Sequence, residues 1–330
     1  MSQQDADPEL TVLLADVGGT NARFALREGP RLGPVERLAV ADHRRFDDAL
    51  AAFLAERGGG RAIKAAVIAV AGPVRNGRAE FTNSGWTIEA NALKAAFDFG
   101  AVSVINDFEA VARAVPCLRP ADVMALGGKE ALPDAPQVVL GAGTGLGVAC
   151  TLSLPNGPYI LTTEAGHVTA PSWSHRTDAL IDFLRGRHKR VSAERLLSGQ
   201  GLENLLAAIA AVDGVDLPHR TAAEITQAAM EGTCTACREA LDLFFAMLGE
   251  VAGNFALSFG ARGGVYIAGG IAPRFGPQLA ASSFRERFED KGRLRPYLEA
   301  IPCWLVLHPN FAFLGLEAMA NALTSSDLYP

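Results

Sequence analysis

Two tight glycine turns, far apart in the chain, most constrain what it can fold into. The first, DVGGTN, spans residues 16–21, and the second, GAGTGLG, spans residues 141–147. Each lies between two short apolar runs, a pattern that predicts a β-hairpin. Glycine allows close approach of the backbone to a ligand, and consecutive N–H groups in such a turn form an anion-binding nest. The repeat therefore predicts two similar halves, whose nests would suit a nucleoside triphosphate held between them.

Length, composition and charge bound the class of protein. The chain has 330 residues, a length typical of about two domains. It is 49% hydrophobic and 20% charged, which is ordinary for a globular protein. Its net charge of −6 argues against nucleic acid or an anionic membrane as a partner. For the one basic run, RGRHKR at residues 185–190, we predict an exposed loop before a helix.

The cysteines and the termini favour a soluble, cytoplasmic protein. There are 5 scattered cysteines, an odd number that suits a reducing compartment. Cys234 and Cys237 form a C-x-x-C, but it begins a predicted long helix and lacks a second Cys/His pair, which disfavours a metal or redox role. Residues 1–9 are polar and acidic, unlike a signal peptide. The uncharged stretch 138–163 contains a Pro-Asn-Gly turn, so we expect a hairpin rather than a membrane helix.

The order of the remaining elements is typical of an α/β protein, because strand patterns alternate with helix patterns. Prolines at positions 116, 120, 133 and 136 indicate a domain junction. The predicted strands after the first hairpin are 35–40, 63–70, 102–105, 159–163, 265–268 and 304–307. The predicted helices are 46–57, 89–97, 108–115, 193–197, 202–212, 222–231, 235–259 and 311–323.

Polar residues that follow strands are the candidates for chemistry. Asn106 and Asp107 close an apolar strand, where the ligand crevices of α/β sheets lie. A carboxylate there can take the proton of an attacking hydroxyl, a role worth about 10²–10⁴ in rate; the alternative is a helix N-cap. Glu164 and His167 flank a glycine just after another predicted strand. Since a carboxylate accepts two hydrogen bonds, this pair suits a vicinal diol.

Several common nucleotide and hydrolase motifs are missing from the sequence. There is no G-x-x-x-x-G-K-[ST], and a strand pattern rather than a helix follows residues 141–147, so neither a P-loop nor a dinucleotide fingerprint is present. Residues 98–100 read Asp-Phe-Gly, but no H-R-D loop precedes them. A G-x-S-x-G elbow is also lacking, which disfavours a serine hydrolase.

Five motifs taken together resemble the bacterial glucokinases of the hexokinase/actin-like superfamily, over residues 10–323. They are DVGGTNAR at 16–23, VINDF at 104–108, GAGTGLG at 141–147, EAGH at 164–167 and RVSAER at 190–195. The resemblance implies a two-domain actin-like (ribonuclease H-like) ATPase fold with duplicated βββαβα-type halves. It implies a small domain of residues 1–117 plus 310–330, a large domain of 118–309 with added helices, and an active site in the cleft between them.

The same resemblance assigns roles to individual residues. Asp107 would be the base, and the groups that hold sugar hydroxyls would be Asn106, Asp107, Glu164, His167, Glu194 and Asn83. Glu194 also fits ordinary pairing with a helix N-terminus, and we expect Trp86 to be a packing residue. Asp16 would orient Mg²⁺ through water. The ATP-binding residues would be Ala15, Asp16, Val17, Gly18, Gly19, Thr20, Asn21, Gly143, Thr144, Gly145, Gly269 and Gly270.

The activity implied by the resemblance is phosphorylation of D-glucose at the 6-hydroxyl by MgATP, in a homodimer. Mannose, glucosamine or an N-acetylated amino sugar stay open as acceptors. The related group of sugar kinases and repressors carries a cysteine-rich zinc motif after the motif's histidine; Val168 to Pro171 follow here, so we expect no structural zinc. A transcription regulator would need an N-terminal DNA-binding domain, for which the residues before the first strand are too few. An actin-like filament or chaperone ATPase would not need Glu164, His167 and Glu194.

Overall fold

The computed structural model describes residues 10–81, 84–155 and 157–324. Contacts between Cα atoms divide the chain into two compact units. Unit 1 comprises Met1–Leu118 and Pro309–Pro330, and unit 2 comprises Arg119–His308. The cleft that was predicted between two domains stays a prediction.

The described residues form both strands and helices. The strands are β1 (Thr11–Val17), β2 (Asn21–Glu28), β3 (Arg31–Leu32), β4 (Glu36–Ala39), β5 (Ile63–Val70), β6 (Arg78–Glu80), β7 (Thr87–Glu89), β8 (Ala101–Asn106), β9 (Val123–Ala125), β10 (Gln137–Ala142), β11 (Leu146–Leu154), β12 (Gly157–Thr163), β13 (Gly264–Gly269) and β14 (Cys303–Val306). The helices are α1 (Phe46–Arg57), α2 (Ala90–Phe97), α3 (Asp107–Ala114), α4 (His175–His188), α5 (Gly199–Asp213), α6 (Ala222–Glu231), α7 (Thr235–Phe259), α8 (Gly276–Ala281), α9 (Phe284–Glu289), α10 (Arg295–Ala300) and α11 (Phe311–Thr324).

Unit 1 is built on one sheet in the order β3-β2-β1-β5-β8, with β4 also paired to β2. β1 and β2 form the predicted hairpin, and β5 and β8 continue the sheet parallel to β1. β5 is buried along almost its whole length because both faces of the sheet are covered. One face packs on an aromatic cluster around Phe24, Phe46 and Trp86, and the other on α11. A Cβ at Gly315 would lie 1.8 Å from Ala110 O, so this glycine permits the close packing of α11 on α3.

Unit 2 repeats the same arrangement with added helices. Its sheet has the order β12-β11-β10-β13-β14-β9, in which β10 and β11 form the second predicted hairpin. β13 and β14 then continue parallel to β10, as β5 and β8 do beside β1. The central helix is α7, and the core formed by its buried residues with α5, α6 and α9 is the largest of the chain's described hydrophobic clusters.

α7 is also the one helix in the described residues that is long and apolar enough to cross a membrane. Within unit 2, however, 72% of its most apolar window is buried. Packing against neighbouring helices accounts for its composition, because a helix that is apolar on most sides is buried in a large core.

Local sequence signals explain why some helices begin and end at the residues that were predicted. α1, α6 and α7 begin and end where predicted. For α6, Thr221 and Glu224 form a capping box at the start, and Gly232 ends the helix in the left-handed conformation (φ 70°).

Two local predictions were wrong. The predicted helix at 193–197 is only a short 3-10 turn, Ala193–Arg195. The basic run is not a loop before a helix: residues 185–188 form the last turn of α4, where positive charge is favourable at a helix C-terminus. The sequence analysis missed α4 because its buried aliphatic residues, Leu180, Ile181 and Leu184, occupy little more than one turn.

Candidate active site

The carboxyl ends of the parallel strands in unit 1 bring the predicted polar residues to one edge of the sheet, which we call the first edge. Asp16 is in register with Ala69 on β5, and Val70 at the end of β5 is in register with Asn106 on β8. Ala71 N also donates a hydrogen bond to Val17 O, at 2.9 Å. The first edge therefore contains Asp16, the turn that follows it, Gly72, Asn106 and Asp107.

Asn106 and Asp107 have distinct roles at the start of α3. Asn106 is the N-cap: its Oδ1 accepts from Phe108 N at 2.9 Å, and its Nδ2 donates to Gly72 O at 3.0 Å. Asp107 is the first residue of the helix, half-buried, with Oδ1 accepting from Phe108 N at 2.9 Å. The helix N-cap, which was the alternative role considered for Asp107, is therefore Asn106. The N-terminus of α3 favours a negative charge on Asp107.

The first glycine turn carries a buried carboxylate and an open backbone. Gly18 N donates to Asn21 O at 2.9 Å, which closes the turn. Asp16 is 9% exposed and forms an ion pair with Arg23. Gly19 and Thr20 are exposed, and a Cβ placed on Gly19 would meet no atom within 4 Å. Ala15 and Val17 are buried in β1, so only their backbone lies at this edge.

The second glycine turn, in unit 2, is supported by contacts on several sides. Gly143 N donates to Gly145 O at 2.8 Å, and Gly143 O accepts from Gly199 N, at the start of α5, at 2.9 Å. Gly270 N donates to Ala142 O at 3.0 Å, which places the Gly269-Gly270 pair beside the turn. Thr144 is exposed at its tip. These residues form the second edge, at the carboxyl ends of β10 and β13.

The residues predicted to hold sugar hydroxyls in unit 2 come together next to this turn. His167 Nδ1 lies 3.8 Å from Glu194 Oε1, and Glu194 Oε2 accepts from Leu146 N at 3.0 Å. Glu164 O accepts from His167 N at 3.0 Å, so Glu164 shares the short 3-10 turn of His167. Glu164 and His167 are exposed, whereas Glu194 is half-buried. Leu146 and Glu194 are 48 residues apart in the chain, so only tertiary folding joins them.

Backbone hydrogen bonds hold the two segments of this cluster together. Ala193 N donates to Val168 O at 2.8 Å, and Ala170 N donates to Val191 O at 3.0 Å. Arg190 Nη2 adds a hydrogen bond to His167 O at 2.7 Å. The sequence analysis did not single out Arg190 or Gly199 as supporting residues. The Ser-Gly pair that begins α5 was the one signal for Gly199, since serine is a preferred N-cap.

Two further predictions concern the segment before α2. Asn83, a predicted sugar contact, lies outside the described residues. Trp86 is a packing residue, as predicted: its ring meets Phe46 edge-on at 5.9 Å, and Nε1 donates to His43 O at 3.2 Å.

No group of three His, Cys, Asp or Glu side chains suited to a metal occurs in the described part of the chain. Mg²⁺ often keeps several waters and binds through one or two carboxylates and the substrate phosphates. Asp16, a carboxylate at the base of an open turn, fits that mode of binding.

The two similar sheets, each with a glycine turn, and the carboxylate at the first edge fit a phosphotransferase with the actin-like ATPase fold. The glucokinase family model matches residues 13–323, so the chain belongs to the glucokinase family. The predicted family, fold class and enzyme class, an ATP-dependent hexose kinase, are confirmed.

Individual relatives agree with this assignment. The glucokinase of Paramagnetospirillum magneticum is 47% identical over 313 residues, which cover 94% of this chain and 97% of the relative. The crystal structure of a glucokinase from an Antarctic psychrotroph has a TM-score of 0.83 at 35% identity, covering 94% of this chain and 99% of that one. A ROK-family glucokinase from Streptomyces griseus, solved in complex with glucose and AMPPNP, has a TM-score of 0.62 at 18% identity, covering 92% and 97%. That last likeness bears on the fold alone.

Proposed function

We propose that the chain transfers the γ-phosphate of ATP to the 6-hydroxyl of D-glucose, giving glucose 6-phosphate and ADP. The observation that carries this proposal is the carboxylate of Glu194, which lies 3.8 Å from His167 and also accepts a hydrogen bond from the second glycine turn. Groups suited to sugar hydroxyls therefore adjoin a nest suited to phosphate within one unit. An ATPase that lacks a sugar site needs no such pairing.

Asp107 is the proposed base. As the 6-oxygen forms its bond to the γ-phosphorus and the bond to ADP breaks, the hydroxyl proton passes to the Asp107 carboxylate. The N-terminus of α3 stabilises the ionised carboxylate that this step requires. The hydrogen bond from Phe108 N to Oδ1 fixes the orientation of the carboxylate. Hydrogen bonds to Gly72 O and from Phe108 N hold the Asn106 side chain. Its amide can use its remaining hydrogen-bonding capacity to bind a sugar hydroxyl.

ATP is proposed to bind through backbone N–H groups of both turns. Residues 18–21 and 143–145 would receive the phosphates, and Gly269-Gly270 would permit close approach of the adenosine. When bound, Mg²⁺ would neutralise phosphate charge, and Asp16 would hold it through water. Arg23, now paired with Asp16, would keep that carboxylate oriented.

Asp107 belongs to unit 1 and the cluster of Glu164, His167 and Glu194 to unit 2, so the proposed reaction uses groups from both units. Exclusion of water from the bound sugar would prevent water from competing as acceptor. The resemblance to bacterial glucokinases also supports a cytoplasmic homodimer, and sedimentation velocity tests the dimer directly.

The decisive test measures hexose-dependent ADP formation with glucose, mannose and glucosamine, for the wild type and Asp107→Asn. We expect turnover of glucose by the wild type and a loss of about 10²–10⁴ in kcat for the variant, with glucose binding retained by calorimetry. Glu109→Gln is the matched control, because Glu109 lies in the same first turn of α3 and pairs with Arg113 at 2.8 Å. Near-normal turnover by Asp107→Asn would refute the base assignment. Tight ATP binding without turnover of any hexose would refute the proposed sugar kinase activity.

A further inference from the structure

The C-x-x-C at the start of α7 is not part of the proposed reaction, yet the structure gives it a specific geometry. Cys234 is the N-cap of α7, and its Sγ accepts a hydrogen bond from Cys237 N at 3.3 Å. Cys234 is partly exposed, whereas Cys237 is completely buried. Two free thiols thus lie on one helical turn, and one of them is accessible to a reagent from solvent.

A positive charge lies near the accessible thiol. Arg220 acts on Cys234 electrostatically, and its Nε is buried without a hydrogen-bond partner among the described residues. Burial by itself would raise the pKa of Cys234. Hydrogen bonds with Cys237 and Ala236 and the charge of Arg220 outweigh that effect, so the pKa of Cys234 is lower than usual. Burial, followed by the effect of Cys234, raises the pKa of Cys237 to about 12.

The other cysteines lack this environment. Cys117 is exposed, but burial of its thiol and the nearby Glu317 raise its pKa. Burial raises the pKa of Cys150 to about 11 and that of Cys303 to about 12. If solvent exposure alone decided reactivity, Cys117 would be the most reactive thiol. The local environment predicts instead that Cys234 reacts fastest.

We propose that Cys234 and Cys237 form a reversible dithiol–disulfide site, in which Cys234 attacks a low-molecular-weight disulfide and Cys237 resolves the product. The Cys234 thiolate attacks one sulfur of the small disulfide, forms a mixed disulfide and expels the other half as a thiolate. Cys237 then loses its proton and attacks Cys234 Sγ, which expels the second thiolate. The protein thiols lose two electrons and two protons, and the small disulfide is reduced to two thiols.

The second step is favoured by the first. In the mixed disulfide Cys234 carries no charge, so its contribution to the high pKa of Cys237 disappears while Arg220 remains. The thiols lie one turn apart at the helix N-terminus, so the disulfide joins the cap to its own helix rather than two distant segments. The sequence analysis disfavoured a redox role because the motif begins a long helix; the structure shows that the first cysteine caps that helix.

The test equilibrates the reduced full-length protein with defined ratios of reduced and oxidised glutathione, followed by acid quenching, alkylation and peptide mass spectrometry. We expect a Cys234–Cys237 disulfide in the wild type. Cys237→Ser should trap a glutathione adduct on Cys234, and Cys234→Ser should remove both products. With limiting iodoacetamide at neutral pH, we expect Cys234 to react at least about tenfold faster than Cys117, because only the thiolate is nucleophilic.

The control variants separate reactivity from folding. Serine is a preferred N-cap, so Cys234→Ser should keep α7 intact and retain hexose kinase activity. Arg220→Gln should slow alkylation of Cys234 several-fold and leave that of Cys117 unchanged. Faster reaction of Cys117, a pair that stays reduced in excess oxidised glutathione, or no trapped adduct in Cys237→Ser would each overturn the proposal.

Discussion

Asp16 and Gly141 hold equivalent places in the two halves, each one residue before the end of the first hairpin strand and each in register with an alanine on the next parallel strand. Their surroundings differ. A Cβ on Gly141 would lie 2.9 Å from Gly269 N and 3.0 Å from Ala268 C, whereas Asp16 has room for a whole side chain. Within the second turn, a Cβ on Gly145 would lie 2.5 Å from Glu194 Oε2, while one on Gly19 in the first would meet nothing.

The difference shows that one motif serves two physical purposes. In the first turn the carboxylate supplies charge, and an open backbone is left for a ligand. In the second turn no charged residue is present, and the space of a side chain is occupied by neighbouring backbone beside Gly141 and by the Glu194 carboxylate beside Gly145. We therefore expect substitutions in the first turn to change activity and those in the second to change stability as well.

Among substitutions that compare the two turns, the largest expected effect is that of Asp16→Ala. Loss of metal-assisted charge neutralisation, worth several kcal/mol, should lower kcat by about two to three orders of magnitude. The Mg²⁺ concentration that gives half the maximal rate should rise, as measured by metal titration of the kinase assay. The control is Asp47→Ala, since Asp47 is a partly exposed carboxylate on α1 paired with Arg45 at 3.2 Å. An unchanged Mg²⁺ dependence in Asp16→Ala would show that the Asp16 carboxylate does not hold the metal.

Glu194→Ala should be next, because it removes a carboxylate shared by the sugar-binding cluster and the second turn. Hydrogen bonds to charged groups are worth about 1.5–3 kcal/mol, so kcat/KM for glucose should fall by about 10–100-fold. ATP binding without sugar, measured by calorimetry, should weaken too, because Leu146 N loses its acceptor. Glu194→Gln, which keeps one acceptor oxygen, should recover part of either effect. If ATP binding is unchanged in the alanine variant, the carboxylate does not support the turn.

Gly141→Ala should lower the free energy of unfolding by about 1–3 kcal/mol, because the new methyl group would overlap backbone atoms of β13. Urea denaturation measures the change as a lower midpoint. Gly270→Ala is the matched control: a Cβ there would meet no atom within 4 Å, so its midpoint should match that of the wild type. Equal midpoints for both variants would contradict the packed character of the second edge.

Gly19→Ala should leave the free energy of unfolding within about 0.5 kcal/mol of the wild type. A Cβ at this position lies in open space in the absence of ligand. The KM for ATP should nevertheless rise several-fold, because the methyl group hinders close approach of phosphate to the turn. Initial rates at varied ATP concentration provide the measurement. An unchanged KM would show that Gly19 does not approach the nucleotide.

The signals that predicted structure correctly were local. Thr221, Glu224 and Gly232 mark both ends of α6 within the sequence itself, and the helix has those bounds. α4 went unrecognised although Ser174 caps it, because its sequence has no long apolar stripe. Its few buried side chains pack on other elements of unit 2. The short helices α8 to α10 went unrecognised as well: each has only 6 residues, fewer than periodicity requires.

By itself the sequence determined the two hairpins, the strand that ends at Asn106 just before Asp107, and hence the family, because turns and strand ends are encoded by consecutive residues. Only the tertiary structure decided which separated groups meet. Glu194 reaches Leu146 N because Ala193 N and Val168 O join two distant segments. Likewise, the folded surroundings of α7 place Arg220 by Cys234 and bury Cys237. Such contacts depend on long-range packing, which residue spacing does not specify.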